Sequence, residues 1–402
     1  MIPIQQHRDR ILAAATELPT ERVPLADALG LVLAEQVVSR FAVPLFDNSA
    51  MDGYAVRRAD AAEGARLRVV ADVPAGSALD PALGAGEAAR IMTGAPVPSD
   101  ADAIVPLEAT DLGTAISTAP PEWIIVTAEP KPGAHIRHAA EDSPAGTVTV
   151  EAGTKLGAWQ LSAIASAGHD TVAVVRRPRV AVISTGSELV APSATPGRGQ
   201  IPESNSVLLG AALRDAGALV THTLTVPDDE DELRRVLETA TADSDAVVLS
   251  GGASVGAFDV VKAVLGPLAS VDFDAVAMQP GKPQGFGTAA SGALLFCLPG
   301  NPVSVAVSFE MFVRPALRAM AGHADIDRPL ITRTAGASWT TPPNRTQVLP
   351  VVFNDQIAQP ASAGGSGSHL VSSLADAEGF AIVPADIERV AEGDAVTVMV
   401  LS

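Results

Sequence analysis

The glycine-rich segment 250–259, with the sequence SGGASVGAFD, has the residue types of a ligand-binding turn. It follows a short apolar run at 246–249 and precedes a run with helical periodicity, which predicts a strand, a turn and the start of a helix. Glycines let the backbone approach a ligand closely, and free N–H groups at the start of a helix suit an oxyanion such as phosphate. The candidate phosphate-binding positions are Gly251, Gly252, Ser254 and Gly256.

Asp259 brings a carboxylate to the same turn, which indicates a magnesium ion or an acid–base step. A tight strand–helix turn with an aspartate N-cap would produce the same pattern, so both explanations stay open. The spacing matches neither a Walker A loop nor a dinucleotide-binding GxGxxG turn.

From Arg179 onward, strand and helix patterns alternate, which predicts an open α/β fold. Loops that follow parallel strands share one edge of the sheet, where such folds bind ligands. The predicted strands are 180–184, 218–226, 246–249, 271–277 and 293–297. The loops after them contain Gly, Pro or carboxylates, and their candidate site residues are Glu188, Asp228, Asp259, Pro280, Gly281, Lys282, Pro299, Gly300 and Asn301.

Three of these side chains differ in how clearly they indicate a site. Asp228 precedes the acidic run Asp229–Asp231, so helix capping is the favoured explanation for it. Glu188 lies near a turn or helix start, where a structural role and a metal role are equally plausible. Lys282 is the strongest of the three, because a glycine and prolines fix its turn and hold one positive charge where an anion would lie.

Composition limits the classes of function. Hydrophobic residues make up 47% of the 402-residue chain and charged residues 18%, which indicates a multidomain globular protein. A net charge of -19 argues against nucleic acid or an anionic membrane surface as partner. The single Cys297 lies in an apolar run and is predicted to be buried in a strand. The N-terminus lacks a signal-peptide core, and Pro299–Pro302 interrupts the uncharged stretch 288–309, so we expect a cytoplasmic protein without a membrane span.

The chain divides by pattern into an N-terminal helical part, a β-rich module, the α/β region and a second β-rich part. The predicted domains are 1–53 with 142–177, 54–141, 178–328 and 329–402. A cluster at His135, His138, Glu141 and Asp142 could bind metal, although surface decoration is the simpler interpretation. The segment 361–369 has the composition of a flexible linker, and a binding loop is the alternative.

Taken together, the motifs closely resemble the molybdopterin molybdenumtransferase (MoeA) family, which also includes the C-terminal domain of gephyrin. The resemblance covers nearly the whole chain. Its motifs stand here as FDNSAMDGY at 46–54, MTGA at 92–95, STGSEL at 184–189, GGASVG at 251–256, PGKP at 280–283 and LPGNPVS at 298–304.

This resemblance implies a parallel-sheet α/β domain of molybdopterin-binding type, an inserted β domain and a C-terminal β domain. It implies Mg²⁺-dependent insertion of molybdate into adenylylated molybdopterin with release of AMP, in molybdenum cofactor synthesis. It further implies an elongated homodimer whose site combines both subunits, and other proteins of the same synthesis are conceivable partners. The family's functional positions match Asp52, Thr93, Asp142, Glu188, Asp228, Asp259 and Lys282. Of these, Glu188, Asp228 and Asp259 are expected to hold magnesium or to order its waters.

Four positions depart from the family pattern. Gln279 stands where many relatives have lysine and Pro350 where an arginine is often found, which predicts a site with less positive charge. Glu203 replaces a usual aspartate, and Ser187 replaces a frequent one beside the retained Glu188.

Two rival functions are consistent with parts of the pattern. A dimeric scaffold could hold a pterin or a protein partner without catalysis, but clustered carboxylates repel one another and a scaffold does not need them. A generic phosphosugar- or nucleotide-binding enzyme would explain the α/β edge and would leave the motif at 46–54 unexplained.

Overall fold

The computed structural model describes residues 1–114, 118–251, 260–362, 367–368 and 370–401. The chain forms two compact units: Met1–Arg22, Gly30–Ala34 and Ala173–Ser402 make the first, and Val23–Leu29 and Glu35–Val172 make the second. Two further strands are Thr20–Pro24 and Thr171–Val175. No helix among the described residues is long and apolar enough to cross a membrane.

The first unit contains the predicted α/β sheet. Its six strands, numbered in chain order, are β1 (Arg179–Thr185), β2 (Leu219–Val226), β3 (Ala246–Ser250), β4 (Val271–Ala275), β5 (Pro283–Thr288) and β6 (Leu294–Leu298). They lie side by side in the order β2-β1-β3-β6-β5-β4. The pairs among β2, β1, β3 and β6 are parallel, whereas β5 is antiparallel to both of its neighbours.

The α/β fold class is confirmed, but β5 was not predicted. Its sequence, Pro-Gln-Gly-Phe-Gly-Thr, has two glycines and one proline, so it lacks the β-branched residues that mark a strand. Because β5 is antiparallel to both β4 and β6, those two strands run in the same direction. The loop after β4 therefore still lies at the predicted edge of the sheet.

Apolar side chains cover both faces of the central strands, as buried parallel strands require. Val180, Val182 and Val248 point to one face, and Ala181 and Ile183 to the other. Cys297 is fully buried in β6, as predicted. The helices of this part are Ile4–Ala14, Asn205–Asp215, Glu230–Asp243, Val260–Leu265, Pro302–Ser308, the π-helical turn Phe309–Val313 and Arg314–Met320. A two-stranded parallel pair, Leu189–Val190 with Ile201–Pro202, lies between β1 and its following helix.

The C-terminal part of the first unit is a sheet closed on itself. The strands that form the ring are Leu330–Ala335, Thr346–Phe353, Ile357–Pro360, Gly379–Val383 and Ala395–Val400. Trp339–Thr340 and Arg389–Val390 form a separate antiparallel pair, and one short helix spans Ser372–Asp376. An additional pairing between Thr346–Phe353 and Gly379–Val383 closes the ring. The short strand Met278–Gln279, which follows β4, pairs in parallel with Thr346–Phe353. The α/β sheet and the C-terminal sheet are thereby joined beside the edge where the candidate residues lie.

The second unit is organised around a five-stranded sheet in the order Ala103–Pro106, Gly53–Val56, Glu87–Ile91, Arg66–Val73 and Trp123–Ile125. Its other elements are strands Val37–Val38, Asn48–Ser49, Ile136–Arg137 and Val148–Val150, helix Ala158–Ser166, and 3₁₀ turns at Leu25–Asp27, Arg58–Asp60 and Leu107–Ala109. Buried Tyr54, Val56, Leu67, Val105 and Ile124 fill one core of this sheet. The β-rich pattern read from the sequence is therefore present, while the four-domain boundaries stay a prediction.

Candidate active site

The ends of β1, β3 and β6 meet closely at the carboxyl edge of the α/β sheet. The Gly251 N–H donates to the Leu298 carbonyl oxygen at 3.2 Å. Gly251 has a φ of +96°, and a Cβ there would overlap the Thr185 carbonyl oxygen and lie 2.8 Å from Thr185 Oγ1. Only glycine satisfies both conditions, so the neighbouring strand ends by themselves require a glycine at this first position of the turn.

Two carboxylates lie exposed at this edge. The Asp228 carboxylate accepts a 3.0 Å hydrogen bond from the Ser187 N–H, and the Asp228 N–H donates to Ser187 Oγ at 3.0 Å. Glu188 folds back, so that a Cβ on Gly186 would lie 2.6 Å from one of its carboxylate oxygens. Asp228 and Glu188 are therefore brought to the same loop pair.

The favoured capping role of Asp228 is wrong. Asp229 is the N-cap of helix Glu230–Asp243, and its carboxylate accepts the Glu232 N–H at 2.8 Å. Asp228 lies one residue earlier and points across to the loop after β1. Sequence spacing could not separate the two, because either aspartate can precede an acidic first turn.

A buried carboxylate lies beneath the edge. Glu203 is 6% exposed and accepts hydrogen bonds from Ser184 Oγ at 2.9 Å, from the Ser206 N–H at 2.8 Å and from Ser206 Oγ. Ser184 Oγ also lies 3.1 Å from Ser250 Oγ. The network ties the ends of β1 and β3 to the start of helix Asn205–Asp215, which fixes the backbone that carries the candidate residues.

A cleft of about 420 Å³ opens at the same edge of the first unit. The predicted residues Pro280, Gly281, Lys282, Pro299, Gly300 and Asn301 all line it, together with Met278, Gln279, Pro283, Ser304, Arg345, Gly367 and Ser368. Two of these described lining residues are cations and none is a carboxylate. The cleft is therefore a local positive site in a chain with a net charge of -19.

A buried amide fixes the turn that carries Lys282. Gln284 is 1% exposed, and its Nε2 donates to the Gly281 carbonyl oxygen and to Ser308 Oγ, both at 2.7 Å. Gly281 has a φ of +98°, a conformation that favours glycine. The Gln279–Pro280 peptide bond is cis. The prediction that this turn is rigid agrees with these contacts.

Arg345 is the site residue that sequence reasoning missed. Thr346, the next residue, donates its N–H to the Ala277 carbonyl oxygen at 3.0 Å and pairs with Met278, which brings Arg345 beside the turn of Lys282. Asn344 has a φ of +57° and lies in the turn before this strand, but no local sequence pattern indicates which distant strand follows the turn into the sheet.

Pro350 does not lie in the cleft. It is buried within strand Thr346–Phe353 and pairs with Phe380. The expected loss of positive charge at Pro350 is therefore not a property of this cleft, whereas Gln279 does line it.

The contacts of Ser368, in the segment 361–369, favour a binding loop over a flexible linker. Ser368 lines the cleft, its Oγ accepts a 2.9 Å hydrogen bond from Asn301 Nδ2, and its carbonyl oxygen accepts the Val303 N–H at 3.2 Å. Residues 363–366 and 369 lie outside the described residues.

The second unit brings Asp52 and Thr93 together. Asp52 Oδ1 accepts the Thr93 N–H at 2.7 Å and Thr93 Oγ1 at 2.8 Å. Asp80 and Ser99 form the same paired contact elsewhere in this unit, at 2.8 and 2.6 Å. The geometry alone is thus compatible with a structural turn, and the Asp80 pair supplies a matched control.

Asp142 lies exposed in the second unit, and its N–H donates to the Val43 carbonyl oxygen at 3.0 Å. Near it, His138 Nδ1 lies 2.9 Å from Asp47 Oδ2. The Ala139 N–H bond and then the His138 side chain hold the pKa of Asp47 below its usual value. Within the described ranges no group of three His, Cys, Asp or Glu side chains could hold a metal ion.

Four predicted site residues, Gly252, Ser254, Gly256 and Asp259, lie outside the described residues.

Three family models together match most of the chain. Residues 2–168 match the MoeA N-terminal region (domain I and II), 181–319 a probable molybdopterin binding domain and 332–401 the MoeA C-terminal region (domain IV). A Mycobacterium tuberculosis protein named molybdopterin molybdenumtransferase 2 is 42% identical over 98% of both chains.

The chain belongs to the molybdopterin molybdenumtransferase (MoeA) family. A second M. tuberculosis member, molybdopterin molybdenumtransferase 1, is 35% identical over 100% of this chain and 99% of its own. The crystal structure of a molybdopterin biosynthesis MoeA protein from Pyrococcus horikoshii aligns with a TM-score of 0.82 at 33% identity, over 100% of this chain and 99% of that one. The resemblance read from the motifs is therefore confirmed. The MoeA fold of this chain consists of the α/β sheet and the β-rich parts described above.

Proposed function

We propose that this MoeA-family chain is a transferase that inserts molybdate into adenylylated molybdopterin and releases AMP. The observation that carries the proposal is the cleft lined by Lys282 and Arg345 and by no described carboxylate. A doubly charged oxyanion needs local cations here, because the overall charge of -19 repels it.

Hydroxyl groups beside the two cations would complete the oxyanion site. Ser368 Oγ accepts its hydrogen bond from Asn301, so its own proton is free to be donated to a bound anion. Ser304 also lines the cleft. Lys282 would supply a point charge and Arg345 a planar fork of N–H donors, which together favour a tetrahedral oxyanion. Gln279, in place of a third cation, would weaken that affinity.

The reaction requires two anions to be held together while the phosphoanhydride breaks. One molybdate oxygen adds to the adenylyl phosphorus as the phosphoanhydride bond breaks, so AMP leaves with that oxygen and molybdopterin keeps its own phosphate. The molybdenum loses its bond to that oxygen and is bound by the two dithiolene sulfurs of molybdopterin. We assign the phosphate to the turn that begins at Gly251, with Gly252, Ser254 and Gly256 as its further members. The backbone N–H groups of such a turn would stabilise the charge that develops on the leaving phosphate.

Magnesium fits the described residues of this edge. Glu188 and Asp228 are exposed carboxylates on adjoining loops, and Mg²⁺ in proteins is commonly held by one or two carboxylates together with water and substrate phosphates. Asp259 is the third proposed ligand. When bound, the ion would neutralise charge on the phosphate oxygens. Asp228 has one oxygen engaged by Ser187, which would orient the other toward the ligand.

A homodimer is part of the proposal. Phe41, Leu45 and Phe46 are exposed large apolar side chains beside the motif at 46–54, and such surfaces commonly bind another protein. We propose that Asp52, Thr93 and Asp142 of one copy act on the substrate held by the other. The four segments 1–53 with 142–177, 54–141, 178–328 and 329–402 are the proposed domains of each copy.

The test is AMP release from adenylylated molybdopterin by the purified protein, with Mg²⁺ and with or without micromolar molybdate or tungstate. Oxyanion-dependent release that is lost in Lys282→Ala and Asp259→Ala, and kept in the exposed-lysine control Lys155→Ala, supports the transferase. Tight pterin binding without release under every condition would instead support the non-catalytic scaffold.

A further inference from the structure

The first residues of the chain pair with the segment that leads from β4 into the cleft. Ile2 donates its N–H to the Ala275 carbonyl oxygen at 2.8 Å, and its own carbonyl oxygen accepts the Ala277 N–H at 2.9 Å. The two bonds form a parallel bridge between Ile2 and Val276. Because β4 is an edge strand of the α/β sheet, Ile2 supplies main-chain partners on the outer side of its continuation, residues 275–277.

The same segment is the attachment point for both cations of the cleft. The Val276 N–H donates to the Lys282 carbonyl oxygen at 2.7 Å, which closes the turn that carries Lys282. The Ala277 carbonyl oxygen accepts the Thr346 N–H at 3.0 Å, and Thr346 directly follows Arg345. The main chain beside each cation is therefore bonded to the segment with which the N-terminus pairs.

Arg10 joins the N-terminal helix Ile4–Ala14 to β4. Its guanidinium donates to Asp272 at 2.9 Å and to Asp274 at 2.6 Å, and both carboxylates belong to β4. It also lies 3.1 Å from Nδ1 of the buried His7 on its own helix. Asp274 comes directly before the bridged residues, so the ion pairs and the main-chain bridge follow one another along one stretch of chain.

Apolar packing makes this junction stiff. Ile2 and Ile4 pack against the core that contains Val276 and Met278, both of which are fully buried. Protein interiors are close-packed, so a displaced element moves its neighbours and is not absorbed by empty space. The N-terminal segment can therefore set the position of the cleft, although the described lining of the cleft contains none of its residues.

We propose that the N-terminal segment 1–14 is a positioning element for the oxyanion cleft, in which Ile2 and Arg10 hold Lys282 and Arg345 in fixed relative positions. The inference rests on the proposed function, because it concerns the same cleft. Two cations on separate loops bind one anion tightly only when their geometry is fixed before the anion binds. The segment touches no substrate and acts on the affinity for the oxyanion through the main chain of residues 275–277.

Arg10→Ala tests the proposal in the full chain, with molybdate alone as the probe. We expect Kd for molybdate, measured by calorimetry, to rise about three- to ten-fold, as is typical of changes that act through connected contacts. Arg10→Lys keeps one positive charge at the same place and is expected to recover part of the affinity. Hydrogen exchange over residues 275–282 is expected to be faster in Arg10→Ala, because the main-chain bonds of this segment open more often.

Arg8→Ala is the matched control. Arg8 lies on the same helix and bonds to both carboxylate oxygens of Asp327, at 2.6 and 2.8 Å, but Asp327 is not part of β4. We expect this variant to change neither the Kd for molybdate nor the exchange over residues 275–282. All variants are compared well below their midpoints of thermal denaturation, so that a general loss of stability does not account for weaker binding.

Ile2→Pro tests the main-chain bridge separately. Proline has no N–H, so the bond to the Ala275 carbonyl oxygen is lost while the ion pairs of Arg10 remain. The Kd for molybdate is expected to rise in this variant as well. It also decides the question if Arg10→Ala does not fold.

The proposal is overturned if the wild type does not bind molybdate, if folded Arg10→Ala or Ile2→Pro binds it like the wild type, or if Arg8→Ala weakens binding equally. Unchanged exchange over residues 275–282 in Arg10→Ala also overturns it. Failure of the proposed function gives a different result. A wild type that binds molybdate in an Arg10-dependent manner but releases no AMP retains the positioning element and is not the proposed transferase.

Discussion

Replacing Arg345 with alanine tests whether the cationic cleft binds the oxyanion. Arg345 lines the cleft with Lys282, and the described lining contains no other charged residue. The side chain is partly buried at the surface of the cleft and does not belong to the hydrophobic core. The substitution therefore halves the local positive charge and is expected to leave the fold intact.

The expected magnitude follows from the two cations. A hydrogen bond to a charged group contributes about 1.5–3 kcal/mol, and about 1.4 kcal/mol corresponds to a factor of ten. We expect the molybdate concentration that gives half-maximal AMP release to rise about 10- to 100-fold, with Lys282 retaining part of the affinity. Arg345→Lys is expected to recover only part of the loss, because an ammonium group lacks the planar fork of the guanidinium.

The assay is the initial rate of AMP release at saturating adenylylated molybdopterin over a range of molybdate concentrations. Arg389→Ala is the matched control, since Arg389 is an exposed arginine of the same C-terminal part and does not line the cleft. An unchanged molybdate requirement in Arg345→Ala, or an equal rise in Arg389→Ala, would refute the assignment of this cleft to the oxyanion.

Three further outcomes are expected. Gln284→Met removes the donor of two 2.7 Å hydrogen bonds, so we expect the free energy of unfolding to fall by about 2–4 kcal/mol. The molybdate requirement should also rise, because the turn that carries Lys282 loosens. An unchanged denaturation curve would contradict this. Asp52→Asn should slow AMP release at least ~10-fold, whereas Asp80→Asn should not, and equal losses would indicate a structural role for both. Burial lowers the pKa of His7 from 6.5 to about 4, so the unfolded chain binds the proton more tightly. The contribution of His7 to stability is complete above pH 6.5 and is lost as the pH falls through 4. The free energy of unfolding, measured by urea denaturation, should fall by about 3 kcal/mol from this cause. In His7→Gln this pH-dependent part of the fall should be absent.

Much of the α/β fold could be predicted because its signals are local. Short apolar runs alternate with helical periodicity from Arg179 onward, and glycine or proline follows each strand. Strand β5 could not be predicted in this way, since its glycines and proline contradict strand propensity and its formation depends on the pairing with β4 and β6.

In the candidate site too, some features follow from local sequence and others depend on contacts between distant residues. The sequence by itself determined the motifs, the MoeA family and the turn around Lys282, because the rigidity of a Gly-Pro turn is a property of adjacent residues. The tertiary structure decided that Asp229 and not Asp228 caps its helix and that Arg345 joins the cleft. Each of these depends on contacts between residues far apart in the chain, and hydrogen bonding and charge act through distance in space, which sequence spacing does not specify.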